Sequence, residues 1–217
     1  MIFSPQSLDL SRLFRDPDMF NSRDTFRSAG FEVLDRSNDH TIMVGRHKSL
    51  RGYLFKKYAP VISLEEQHEN YARRIECARR LLTFIDDRRL RHVVVPQKWL
   101  HELPRNFSSH TTRSYVLIVE RLKLLDSDAS KREYGRIDKN VLRDLCTVLF
   151  TFRGLDSTVS NVPFTNRGQI AFVDTDRWDR QRAYLPHISK YLSRRRRALA
   201  SKIFEKLELE GKGKGKT

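Results

Sequence analysis

A chain of 217 residues exceeds what one minimal core needs and falls short of two ordinary domains, so one domain, at most in two lobes, is the starting expectation. Hydrophobic residues at 39% and aromatics at 10% suffice for a packed interior, which excludes a disordered chain, and the composition also excludes collagen and coiled-coil arrays. Lys and Arg outnumber Asp and Glu by 42 to 27, a net +15 that favours anionic partners without choosing among phosphates, nucleic acid and acidic membrane surfaces.

The charge is unevenly placed: from Arg180 onward, 12 Lys and Arg face only Glu205, Glu208 and Glu210. Cys77 and Cys146 stand far apart, each inside an apolar-periodic segment, as buried thiols in a reducing compartment would. After Met1, Ile2 and Phe3 the chain meets Asp9, Arg12, Arg15, Asp16 and Asp18, and no stretch approaches the ~20 apolar residues of a spanning helix. No signal peptide or membrane anchor is expected, and the expected place is the cytoplasm, with delivery into a host cell as the alternative.

Residues 1–30 read as an N-terminal extension of short helices on the main body. From Phe31 the pattern turns to short runs, Phe31-Glu32-Val33-Leu34, Thr41-Ile42-Met43-Val44 and Gly52-Tyr53-Leu54-Phe55-Lys56-Lys57-Tyr58, which predict three neighbouring strands. Between Ser63 and Asp87, Ala72, Ile75, Ala78, Leu82 and Ile85 recur at helical spacing, and Ser63 with Glu66 supplies a capping-box start. Val93-Val94-Val95-Pro96 and Tyr115-Val116-Leu117-Ile118-Val119 predict two buried strands around a Pro/His/Ser/Thr-rich connection. Residues 31–120 are therefore β-β-β-α-β-β.

Asp138 is a good N-cap for a second helix carrying Val141, Leu142, Leu145, Val148, Leu149 and Phe152 on one face, closed by Gly154. Val162-Pro163-Phe164 and Ile170-Ala171-Phe172-Val173 flank Asn166-Arg167-Gly168, the turn chemistry of a hairpin, with Pro163 making the first arm an edge or irregular strand. Partners across that hairpin should have numbers adding to about 335, twice the midpoint of Arg167 and Gly168. Asn161 and Asp174 satisfy this, which brings an amide oxygen beside a carboxylate. Hard oxygen donors in an incomplete cage suit Mg²⁺, which takes its other ligands from water and nucleotide phosphates. Residues 121–205 form the second part, and 206–217, ending in Gly-Lys repeats, read as a basic flexible tail.

Asp156-x4-Asn161 followed 13 residues later by Asp174 resembles the catalytic core of the protein-kinase-like superfamily. Upstream, Lys56 in the third strand and Glu76 on the next helix resemble that family's Lys–Glu pair, and Val116-Leu117-Ile118-Val119-Glu120 resembles the strand entering the hinge. The resemblance runs from about Phe31 to Asp176. It implies an α+β, bilobal protein-kinase-like fold, with a five-stranded N-lobe plus helix over 31–120 and a truncated helical C-lobe. It implies ATP and Mg²⁺ as cofactors: Asp156 orients or deprotonates the acceptor hydroxyl, Asn161 and Asp174 hold Mg²⁺, and Lys56, steadied by Glu76, holds the α- and β-phosphates. Glu120 stands at the adenine edge, and Asp176 is an additional metal contact.

This sequence departs from the family pattern at several places. No Gly-x-Gly-x-x-Gly lies between Phe31 and Val44, where only Ser37-Asn38-Asp39-His40 could turn over phosphates and Gly45 stands beyond it. Gly154 and Leu155 precede Asp156, which argues against control by activation-loop phosphorylation, and Thr158 occupies the place of a Lys. Asp174-Thr175-Asp176 is closer to small-molecule phosphotransferases and atypical bacterial kinases. With 41 residues after Asp176, the reduced second lobe that is expected resembles that of pared-down bacterial effector kinases. The expected function is a kinase acting on a protein hydroxyl, the protein substrate being acidic if Arg194-Arg195-Arg196-Arg197 docks it. A small-molecule phosphotransferase, a pseudokinase scaffold and a nucleic-acid-binding module are the alternatives.

Overall fold

The computed structural model describes residue 10 and residues 13–34, 42–59, 61–104, 114–175, 185 and 187–213. They belong to an α+β chain that divides into two compact units, Met1–Ile75 with Gln97–Arg121, and Glu76–Pro96 with Leu122–Thr217.

The first unit is built on an antiparallel sheet of five strands: β1 (Phe31–Val33), β2 (Ile42–His47), β3 (Tyr53–Tyr58), β5 (Lys98–Glu102) and β6 (Tyr115–Glu120), in the order β1-β2-β3-β6-β5. Successive side chains on a strand point to opposite faces, and both faces here are apolar. On one, Phe31, Met43, Phe55, Val116 and Ile118 meet Phe14, Met19, Phe20 and Phe26. The N-terminal segment, with α1 (Arg23–Ser28) capped by Ser22, thus supplies half of a core. Gly45 explains itself there: a Cβ on it would stand 2.5 Å from the Phe26 ring. The close approach of α1 to the strand uses the absent side chain, so Gly45 is a packing residue. On the other face Leu54, Tyr58, Leu117 and Val119 meet Tyr71 and Ile75 of α2 (Leu64–Arg88). The Ser63 hydroxyl accepts from the Glu66 N–H at 3.1 Å, as the capping signal predicts.

One strand assignment is corrected. The fifth strand of the sheet is Lys98–Glu102, inside what the sequence presents as a connection, and it pairs Trp99 with Ile118. The valine run contributes only β4 (Val93–Val94), which pairs in parallel with β7 (Ile170–Ala171) in the second unit. Val93 and Val95 are buried in that unit's core, and Pro96, lacking an N–H, ends the run.

The second unit packs α3 (Ser127–Arg136), α4 (Lys139–Thr151) and α5 (Arg194–Gly213) around Leu142, Leu145, Val148, Phe164, Ile170 and Phe172. Asp138 caps α4 by accepting from the Asn140 N–H at 2.7 Å. The helix stops at Phe152, whose φ of −108° and ψ of 68° leave the helical basin before Gly154 is reached. Helix α5 runs to Gly213, where a flexible tail from residue 206 is expected; Arg, Ala, Leu, Lys and Glu are strong helix formers, and Lys206 and Glu210 pair one turn apart. Residues 214–217 lie outside the described residues. Cys77 and Cys146 are both buried, and burial pushes the Cys146 thiol up to about 12. Among the described residues no helix is long and apolar enough to cross a membrane.

Candidate functional site

In the second unit, α4 delivers the chain to Leu155, which is buried and acts as the anchor of the following loop, while Asp156 is exposed. The Asp156 carboxylate is held at both oxygens. Oδ1 accepts from the Thr158 N–H at 2.9 Å, closing an Asx-type turn, and Oδ2 accepts from the Asn161 side-chain amide at 2.9 Å. The Asn161 N–H turns back to the Thr158 carbonyl at 2.9 Å, and the Val159 and Val162 side chains between these polar groups are buried. The two residues of the Asp-x4-Asn motif are thus bonded to each other. Because the Asn161 Nδ2 is committed to Asp156, its Oδ1 is the atom left to meet a cation.

The hairpin is present, with a different centre. The Thr165 N–H donates to the Gln169 carbonyl at 2.7 Å, Ala171 to Pro163 at 2.9 Å and Val173 to Asn161 at 3.0 Å. The loop is therefore Asn166-Arg167-Gly168, a turn closed by the Gly168 N–H on the Thr165 carbonyl, with Gly168 at φ +75°. Three loop residues centre the hairpin on Arg167 itself, half a residue earlier than a two-residue turn would. Asn161 consequently faces Val173, and Asp174 is the next residue along. Pro163 sits on a hydrogen-bonding rung where it can only accept, which keeps its arm irregular, as expected. The other edge of the second arm bonds to the β4 segment, Ile170 to the His92 carbonyl and Phe172 to the Val94 carbonyl, both at 2.9 Å.

Two more contacts hold this platform. The Tyr134 hydroxyl, on α3, donates to the Val162 carbonyl at 2.5 Å. The buried Asp144, on α4, accepts from the His92 N–H at 3.2 Å and lies 2.7 Å from its Nδ1. Asn161 and Asp174 are half-buried. Among the described residues no three His, Cys, Asp or Glu side chains converge as a metal cage, and Asp176 lies outside the described residues.

In the first unit, Lys56 is half-buried and opposes Leu117, on the face that Tyr71 and Ile75 cover; the Tyr71 hydroxyl donates to the Lys56 carbonyl at 3.3 Å and accepts from the Tyr58 N–H at 2.9 Å. Lys57 is the more buried of the two, its ammonium donating to the side-chain oxygen of Gln67 on α2 in a short contact. Neither lysine lies fully in solvent. Glu120 is fastened to Gln97, the residue before β5, at both levels: its N–H donates to the Gln97 carbonyl at 2.9 Å and its carboxylate accepts from the Gln97 N–H at 3.1 Å.

Glu76 is on α2, its side chain 36% exposed, and its carboxylate takes Arg79 at 2.8 Å and Arg80 at 2.6 Å. Those hydrogen bonds, from Arg80 and Arg79, hold its pKa below the usual carboxylate range. These are the ordinary pairings of a helix surface. Asp144, His92 and Tyr134 were missed by motif reasoning. Asp144 carried one signal, a carboxylate on the otherwise apolar face of α4.

No protein-family model matches the chain, and no curated protein matches it.

Proposed function

We propose that the chain is an ATP- and Mg²⁺-dependent phosphotransferase of reduced, bilobal protein-kinase-like architecture, acting on a hydroxyl of a protein. The observation that carries this reading is the bonded pair Asp156–Asn161 on the loop that leads into a hairpin whose far arm ends in Asp174. The donor set fits a hard cation: one amide oxygen, oriented by its own Nδ2 bond, and one carboxylate. When bound, Mg²⁺ supplies charge neutralisation to the nucleotide phosphates.

The chain's own residues would do the rest. Asp156, fixed by Thr158 and Asn161 yet exposed, accepts the hydrogen of the acceptor hydroxyl and holds that oxygen in line. Asn161 Oδ1 and Asp174 would hold the metal. On this reading Lys56 is the cation for the non-transferred phosphates, and Glu76 is the carboxylate that the kinase resemblance assigns to it. Glu120 marks the strand end at which the adenine edge is read. The exposed Arg194, Arg195 and Arg197 of α5 suit an acidic protein acceptor. The Asp174-Thr175-Asp176 ending favours a second reading, phosphoryl transfer to a small molecule.

Labelled ATP with Mg²⁺, alone and with cell lysate, tests this against Lys56→Met, Asp156→Ala and Asp174→Ala. Protein labelling lost in all three variants is the expected result. Label confined to small metabolites selects the second reading. No transfer together with no nucleotide-induced thermal shift overturns both.

A further inference from the structure

The first unit carries a polar cavity of about 320 Å³, lined by Gly30, Glu32, Arg46, His47, Lys48, Arg51 and Arg121. Four cationic side chains converge on it against one carboxylate. Glu32 is already spoken for: it opposes Arg46 across β1 and β2 and binds its guanidinium at 2.5 Å. Among the described residues no carboxylate pairs with Lys48, Arg51 or Arg121. Like charges gathered around a concave wall repel one another, and an anion removes that repulsion.

The wall is ordered by its backbone. Lys48–Leu50 is a short 3-10 turn whose N-cap, His47, accepts from the Ser49 N–H through Nδ1 at 3.2 Å. The neutral ring then bears its hydrogen on Nε2, the atom on the Gly30 side. Burial and the neighbouring Lys48 hold His47 below its ordinary pKa, which keeps it a neutral donor near pH 7. Gly30 sits at φ +90°, and a Cβ there would stand 3.0 Å from Nε2, so only glycine leaves this side of the ring open. Arg121 fastens the opposite rim, its N–H on the Gly52 carbonyl at 2.8 Å and its guanidinium on the Arg51 carbonyl at 3.3 Å.

We propose that this cavity binds a small phosphate monoester, its phosphate held by Lys48, Arg51 and Arg121 with His47 Nε2 as a neutral donor. Planar guanidinium groups match phosphate oxygens two at a time, which a compact ammonium cannot do. A volume of about 320 Å³ exceeds the needs of one phosphate ion and stands at the small end of ligand cavities, room for a sugar-sized body. The inference is independent of the phosphotransferase reading, since none of its residues belongs to that site.

Calorimetric titration with ribose 5-phosphate, inorganic phosphate and ribose, at low and physiological salt, tests it. Ribose 5-phosphate should bind, weaken with salt and lose roughly tenfold to a hundredfold in affinity in Arg51→Gln and Arg121→Gln, the scale of one charge-assisted hydrogen bond. Asp156→Ala should bind it as the native chain does. Circular dichroism of the two exposed-rim variants confirms that they fold. Unchanged affinity in both variants, or no binding of ribose 5-phosphate, overturns the proposal. Inorganic phosphate binding as tightly as ribose 5-phosphate overturns the monoester assignment.

Discussion

Replacing Lys57 by Met should make the protein more stable at neutral pH, and the gain should vanish in alkali. Lys57 is 5% exposed in β3, with its ammonium on Gln67. Burial lowers its pKa from 10.5 to about 8. A folded-state value below the unfolded one means that between about pH 8 and 10.5 the unfolded chain holds a proton that the folded chain has released, so stability rises with pH across that window. Below pH 8 both states are protonated and the folded chain carries the whole penalty. From 10.5 to about 8, at about 1.36 kcal/mol per pH unit, that comes to roughly 3 kcal/mol. Met keeps the apolar stem and gives up the bond to Gln67, worth about 1 kcal/mol, so a net gain of about 2 kcal/mol is expected at pH 7. Urea unfolding followed by circular dichroism at pH 7, 8, 9 and 10 measures it. A Lys57→Met chain less stable than the native one at pH 7, or a difference that stays constant to pH 10, refutes the reasoning. The same variant separates the two neighbouring lysines: nucleotide-induced stabilisation should survive Lys57→Met and disappear in Lys56→Met.

Gly45→Ala should destabilise by about 1–3 kcal/mol, because its Cβ meets the Phe26 ring at 2.5 Å; a midpoint in urea equal to the native one would contradict the packing described. Tyr134→Phe strands the Val162 carbonyl in a buried place and should lower stability by about 1–2 kcal/mol, read by the same titration. Arg89→Gly should stabilise by about 0.5–1 kcal/mol: Arg89 stands at φ 52° past the end of α2, in a Schellman arrangement with the Leu90 N–H on the Ile85 carbonyl at 3.0 Å, a position glycine occupies without strain. Asp156→Ala and Asn161→Ala, alone and combined, should show a coupling of about 0.5–1.5 kcal/mol in a stability cycle; strict additivity would mean that the two side chains are not bonded.

Helices and strands with a periodic apolar stripe were legible from sequence. The α2 and α4 patterns, with Ser63 and Asp138 as caps, stand where the spacing places them, because each signal is local. Helix α3 left no such trace: it buries only Ser130 and Tyr134, too few apolar contacts for periodicity to register. The fifth strand escaped for a related reason, since Trp99, Leu100 and His101 follow one another without alternation, and the valine run nearby looked stronger. Which sheet a buried run joins depends on partners distant in sequence. Val93–Val94 pairs with Ile170–Ala171, a choice no local pattern encodes. The packing role of Gly45, which admits the Phe26 ring, left no mark in the sequence, because the ring it meets lies far from it along the chain.

The hairpin shows how a half-residue error in a turn propagates to a site. In a regular ladder a one-residue slip turns a side chain to the other face, and pairing Asn161 with Val173 would send Asp174 away from it. The ladder is not regular at that point. The Asn161 N–H leaves the pairing for the Thr158 carbonyl, only its own carbonyl stays with Val173, and β7 ends at Ala171. The Asn161 side chain is therefore held by Asp156, which takes its Nδ2 and leaves Oδ1 as the remaining polar atom. Two carboxylates in those positions would repel; an amide between them can donate to one and still offer oxygen to whatever the other holds. This is a physical reason for Asn at residue 161 where Asp would serve equally well as a bare metal ligand, and it makes the bond between Asp156 and Asn161, more than the hairpin rung, the feature on which the phosphotransferase reading stands.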